Sequence, residues 1–337
     1  MAGVIGARWS TIIGISLFGA STLIASFTVS SIGGMLVSGV LYGLGSSLMY
    51  TISNNLPVQW FDDHLGVANG LVKLGGGIGV TVMALTVQLL IDRIGISWTF
   101  LVMAFTSLAS GIPAALLIRE RRPLGSGGAT TFVDISLFRN LTFILLFIAG
   151  STGIFALYIP SFFIPTVATS IGVSSMLPAA VMACYNGCMA LGLGSGTACD
   201  RLGSTNMLLL TMALNAITML AIWTLASSLA VLTIFAALNG IANGAFFVTM
   251  PTVIARLLCP RAAPMGIGIA TTDWAVGDLL GSPIAGFLIA ATTVGGQANG
   301  IMSYRPAIFY AGGTAALSTA LVLVARLRMD AKIIKKV

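Results

Sequence analysis

Ten apolar stretches, each about twenty residues or longer, dominate this chain, and most of its few charges lie in the gaps between them. They run over 10–29, 33–57, 66–90, 97–118, 141–168, 175–198, 205–226, 229–255, 264–292 and 306–326. A bilayer core about 30 Å thick takes roughly 20 helical residues to cross. Inside it every backbone N–H and C=O needs an internal partner, so stretches this apolar cross as helices. The expected fold class is all-α: a polytopic membrane protein with about ten transmembrane helices. Only 7% of the residues are charged, against about 25% in a soluble domain, so lipid is the main partner of its surface. The net charge of +7 does not mark a nucleic-acid binder, because the basic residues sit where membrane topology puts them. The first run follows Arg8 but is longer than a signal-peptide core and closes on no small-x-small cleavage site, so it reads as a span.

With the N-terminus in the cytoplasm, only Arg93 and Arg305 fall outside and Lys73 falls within a span. Every other Lys and Arg falls inside, a strong positive-inside bias that puts both termini in the cytoplasm. The longest polar stretch, 119–140, is rich in Gly, Ser and Pro and reads as a flexible cytoplasmic linker. It separates an N-terminal bundle of four spans (1–118) from a C-terminal bundle of six (141–337). Asn140-Leu141-Thr142 fits a glycosylation sequon, but its predicted cytoplasmic place leaves it unused. Cys184, Cys188, Cys199 and Cys259 make no C-x-x-C, and the lone His64 completes no metal site with them. They read as small packing groups; no metal or cofactor is expected.

The segment Gly196 to Gly203, GTACDRLG, lies between the sixth and seventh spans. It resembles the G-x-x-x-D-R-x-G loop signature of the major facilitator superfamily, with Ser204 and Thr205 in place of the usual basic pair. Gly196, Asp200, Arg201 and Gly203 carry that match. A tight glycine turn is expected there, with Arg201 available to a carboxylate or a helix C-terminus. The stretch 59–79, QWFDDHLGVANGLVKLGGGIG, is similar to a segment of monocarboxylate-transporter-like facilitators. GDLLGSPIAGFLI (277–289) resembles their penultimate helix, and the whole looks most like the fungal branch. Ile5 to Arg8 look like the tail of a first copy of the loop signature, so the chain reads as helices three to twelve of twelve. Lys73 stands where that family usually has a small residue. The resemblance implies secondary active transport of a small organic solute, a monocarboxylate or related anion, by alternating access with proton symport. It also implies a plasma-membrane protein. A facilitator of the efflux type, or a transport-inactive fragment, is the alternative.

Charged groups inside spans are costly unless paired or hydrated, so Lys73, Asp273 and Asp278 lead the candidates for substrate and proton sites. Lys73 reads either as a hook for a carboxylate or as a snorkelling side chain. Asp273 and Asp278 lie about 140° apart on one helix. Asp273 lines up with Gly277 and Gly281, a close-packing stripe, and Asp278 with Trp274. Asp278 is the better placed for carrying a proton. Tyr50, Asn54, Tyr158, Tyr185, Asn186, Asn239 and Asn243 are neutral polar groups at span depth. Each fits either a midplane solute cavity or hydrogen bonding between helices. The strings LGLGSG (191–196) and LGGGIG (74–79) follow no strand and read as helix-packing glycines rather than phosphate loops. An intramembrane protease is excluded: there is no H-E-x-x-H, and Ala275 breaks the G-x-G-D pattern before Asp278. The expected partners are a small-molecule substrate, protons and the lipid bilayer, with no nucleic acid.

Overall fold

The computed structural model describes residues 6–61, 64–121, 135–172, 177–259, 262–292 and 300–329, and over these all ten runs are helical. The first two form α1 (Ala7–Phe27) and α2 (Ile32–Trp60). The third and fourth share one helix, α3 (Leu65–Leu117). Its 53 residues would stretch about 80 Å if straight, far more than one bilayer core. Gly95, at φ 81° and ψ 168°, breaks it into two arms, a backbone conformation open to glycine. The fifth run is α4 (Leu141–Leu157) and α5 (Ile159–Ser170), with Tyr158 at the junction and Pro160 in the first turn of α5. The sixth is α6 (Leu177–Leu193) followed by the short α7 (Gly196–Leu202), bent from it by 43°. The seventh is α8 (Ser204–Ile217), which ends in a π turn over Thr218–Ile222. The last three are α9 (Leu229–Leu257), α10 (Ala263–Thr292) and α11 (Arg305–Met329).

Among the described residues, eight helices are long and apolar enough to cross a membrane, or nine if α6 and α7 count as one bent span. The third expected span, the first arm of α3, is helical but is not among them; the membrane-length stretch of α3 is Leu89–Leu117. Caps set several helix starts. Ser31 accepts from the Gly34 N–H at 3.3 Å, Ser228 from Val231 at 3.5 Å, and Asn140 from Thr142 at 3.0 Å. The sequon asparagine thus serves as the cap of α4.

The chain divides into two units: Met1–Asp62 with Gly79–Phe132, and Asp63–Ile78 with Val133–Val337. The start of α3, which the sequence groups with the first four spans, packs instead in the second unit. In lipid the hydrophobic effect does not drive helices together, so small residues and dispersion contacts do the work. In the first unit α1 meets α2 at Gly14 and Gly45, where a Cβ on Gly45 would lie 2.6 Å from the Gly14 carbonyl oxygen. In the second, α6 and α9 close over Gly192, Gly240 and Gly244. There a Cβ on Gly192 or Gly244 would overlap the carbonyl of Ile241 or Met189. The remainder of the expected linker divides. Arg119 and Arg121 are held to the end of α2 by Trp60 Nε1 donating to the Arg119 carbonyl (3.2 Å) and the Arg121 N–H donating to Gln59 (3.3 Å). Ile135–Arg139 is a 3-10 turn leading into α4. Residues 122–134 of that linker lie outside the described set.

Candidate functional site

The loop signature does not form one glycine turn. Gly196–Leu202 is the short helix α7, and the turn falls at Gly203, with φ 94°. Asp200 projects from α7 and takes two hydrogen bonds from the start of α3, Gly66 N–H at 3.1 Å and Val67 N–H at 2.9 Å. Helix starts leave four N–H groups without partners, so Asp200 acts as a cap supplied from 134 residues away in sequence. Its charge suits the positive end of the helix dipole. Arg256, in the last turn of α9, meets Asp200 Oδ1 at 2.7 Å. The cation that joins Asp200 is therefore Arg256, whereas Arg201 is exposed. The close approach requires glycine: a Cβ on Gly66 would sit 2.5 Å from the Gly196 carbonyl oxygen.

One turn further along α3, buried Asn69 donates to Thr252 of α9 at 2.9 Å. Lys73 follows, half-buried. Its spacing puts it on the face of Gly66, Gly70 and Gly77, where Gly70 lies against the Leu193 carbonyl and Gly77 against the Leu193 and Ala190 side chains. Lys73 thus projects along the seam between α3 and the end of α6.

Two buried polar knots sit one helical turn apart on α9. Asn243 donates to the Leu157 carbonyl at 2.6 Å and also to the Tyr185 hydroxyl, which hydrogen-bonds Ser161 at 3.4 Å. Asn239 donates to Asn215 Oδ1 at 3.2 Å and to Thr218 Oγ1 at 3.0 Å. The second knot lies against the π turn, a distortion frequent at functional sites. Tyr158 sits at the α4–α5 junction with its ring 6.2 Å from Phe247, and Asn186 is half-buried on α6 beside Tyr185. In the first unit Asn54 is buried and donates to the Tyr50 carbonyl at 2.8 Å, one turn back on α2.

On α10 the packed face runs through Ala270, Trp274, Gly277, Gly281 and Ala285, all buried. Trp274 therefore shares a face with the two glycines rather than with Asp278, which is exposed. The Trp274 ring packs on Phe246 and Phe247, with centroids 5.3 and 5.9 Å apart. Asp273 is half-buried at the edge of that face. Asn69, Ser161, Asn215, Thr218, Thr252 and Arg256 are hydrogen-bonding and ion-pair partners that sequence reasoning passes over. Only their polarity within or beside apolar runs signals them.

The family model described as Major Facilitator Superfamily matches residues 1–221 and again 187–336. A protein of Ophiocordyceps sp. named MFS-type transporter 1 is 26% identical over 334 residues, 98% of this chain and 73% of that protein. Monocarboxylate transporter 4 of Rattus norvegicus is 28% identical over 315 residues, 89% of this chain and 64% of that protein. The solved structure of the E. coli fucose:proton symporter superposes with a TM-score of 0.76 at 12% identity, over 96% of this chain and 85% of that one. That last likeness is one of fold.

Proposed function

Since this chain belongs to the major facilitator superfamily, a family of multi-pass transmembrane transporters, we propose that it moves a small organic anion, a monocarboxylate or related acid, together with protons. The route is alternating access, with both termini in the cytoplasm. The observation that carries the anion reading is Lys73, a cation within an apolar helix on the face of Gly66, Gly70 and Gly77. A cation at such depth costs about 2.5–3.5 kcal/mol on insertion scales unless something compensates it. A solute carboxylate adds to the contact that Lys73 already makes within the protein. The likeness to a rat monocarboxylate transporter favours the same solute class. The neutral groups at mid-helix depth in the same unit, Tyr158, Tyr185, Asn186, Asn239 and Asn243, then supply hydrogen bonds to the rest of the solute. A carboxylate of α10, Asp273 or Asp278, carries the proton.

The test compares L-lactate with its uncharged amide in proteoliposomes. Lys73→Gln is expected to raise KM for lactate about tenfold or more, since a charge-assisted hydrogen bond contributes about 1.5–3 kcal/mol. Uptake of the amide should hardly change, and Lys73→Arg should keep much of the lactate uptake. Equal losses for lactate and amide, or normal transport by both variants, would reduce Lys73 to a packing residue.

A further inference from the structure

We propose that the second unit binds a water molecule where α8 crosses α9, held by the side-chain amides of Asn215 and Asn239 beside the π turn. The three polar side chains of this knot, Asn215, Thr218 and Asn239, are fully buried. Asn239 lies ten residues into α9, about 15 Å along its axis. At that depth the surrounding hydrocarbon offers no bulk water, so whatever satisfies these groups must be internal.

The donors and acceptors of the knot do not match among themselves. Asn239 Nδ2 gives one hydrogen to Asn215 Oδ1 and the other to Thr218 Oγ1. The Thr218 hydroxyl gives its own to the Asn215 carbonyl at 2.9 Å. Asn215 Nδ2 and Asn239 Oδ1 remain, shut off from solvent and without a hydrogen-bond partner among the described residues. One is a donor and the other an acceptor. Exchanging oxygen and nitrogen on both amides still leaves one of each, and exchanging them on one amide alone sets like against like. A cation would suit the acceptor and be repelled by the donor, and an anion the reverse. A neutral hydroxyl that accepts from Nδ2 and donates to Oδ1 suits both, and water is the smallest. Leaving two buried polar groups bare costs more than immobilising one water. The backbone is distorted here too: over Thr218–Ile222 it forms the π turn, with the Trp223 N–H donating to the Thr218 carbonyl. Trp223 Nε1 is a further buried donor without a partner among the described residues. The site does not depend on the solute reading above; a solute hydroxyl that reached Asn239 would displace this water.

Hydroxyl radicals released by X-rays from a bound water mark the side chains around it, so radiolytic labelling of the purified protein in lipid nanodiscs reads the site without any substrate. Met219 and Trp223, buried on the π turn and at its end, should be oxidised in wild type. Phe143, equally buried but packed among the rings of Phe138 and Phe147, should not. The double variant Asn215→Leu, Asn239→Leu should lose the labelling of Met219 and Trp223. Protection of both residues in wild type, or unchanged labelling in the double variant, overturns the proposal. Should that variant not fold, a cryo-EM map of wild type that resolves ordered waters decides the matter. Density within hydrogen-bond distance of both amides supports the site, and none there overturns it. Failure of lactate uptake would remove the anion reading and leave the labelling result standing.

Discussion

Asp200 answers three separate needs with one carboxylate: two N–H groups at the start of α3 and the guanidinium of Arg256. Removing it leaves all three without that partner. Asp200→Ala should therefore lower the stability of the purified protein by about 1–3 kcal/mol, the cost of an orphaned buried polar group. Asp200→Asn, which keeps an acceptor, should cost less, and thermal unfolding in detergent measures both. Equal effects would mean that a neutral acceptor contributes nothing and that the charge carries the whole effect. The signature G-x-x-x-D-R-x-G makes Asp200 legible in the sequence, but its partners are not, because they lie 56 to 134 residues away and nothing local marks them. Lys73 shows the opposite balance. Its 3–4 spacing from Gly66, Gly70 and Gly77 reveals its helix face, and only its depth in the seam needs coordinates.

The helices themselves follow from apolarity, and the breaks do not. Nothing in a hydropathy pattern separates α6 from α7, because Gly194 and Ser195 sit in a run already rich in glycine. The glycines look alike in sequence yet differ in consequence. Gly192 sits where a side chain would overlap the Ile241 carbonyl of α9, whereas Gly187 on the same helix has open space around it. Gly192→Val should push α6 from α9 and cost about 1–3 kcal/mol or more. Gly187→Ala should be neutral or stabilise by up to about 1 kcal/mol through helix propensity. Melting temperatures of the two variants check this, and a similar loss for both would mean that backbone approach is not what holds the pair. On α10 the 100° spacing itself puts Trp274 beside Gly277 and Gly281, in one buried face; reading only the four-residue rows from Asp273 and from Trp274 divides that face in two.

At the scale of the whole molecule the family fold is legible from ten apolar runs and one loop, and the division into units is less so. A linker by composition falls at 119–140, but the start of α3 is claimed by glycines that fit α6 and by Asn69, which bonds Thr252. Orientation in the membrane is open to direct measurement. Cys259 is exposed after α9, in a gap that the basic residues place in the cytoplasm. A variant retaining Cys259 alone should react with a membrane-impermeant maleimide only after cells are permeabilised. Labelling of intact cells would reverse the topology.

The claim of the second unit on residues 63–78 also has a consequence in time. Asp200 and Thr252 are synthesised 134 and 183 residues after their partners Gly66 and Asn69. At about 5–20 residues per second that is a delay on the order of 10–40 s. During it the glycine face of α3 has been made but has nothing to close on until α6 and α7 follow, and Asn69 waits longer still, for Thr252 of α9. The second unit is therefore completed by a segment made before the rest of it, and its assembly ends near the close of translation rather than helix by helix.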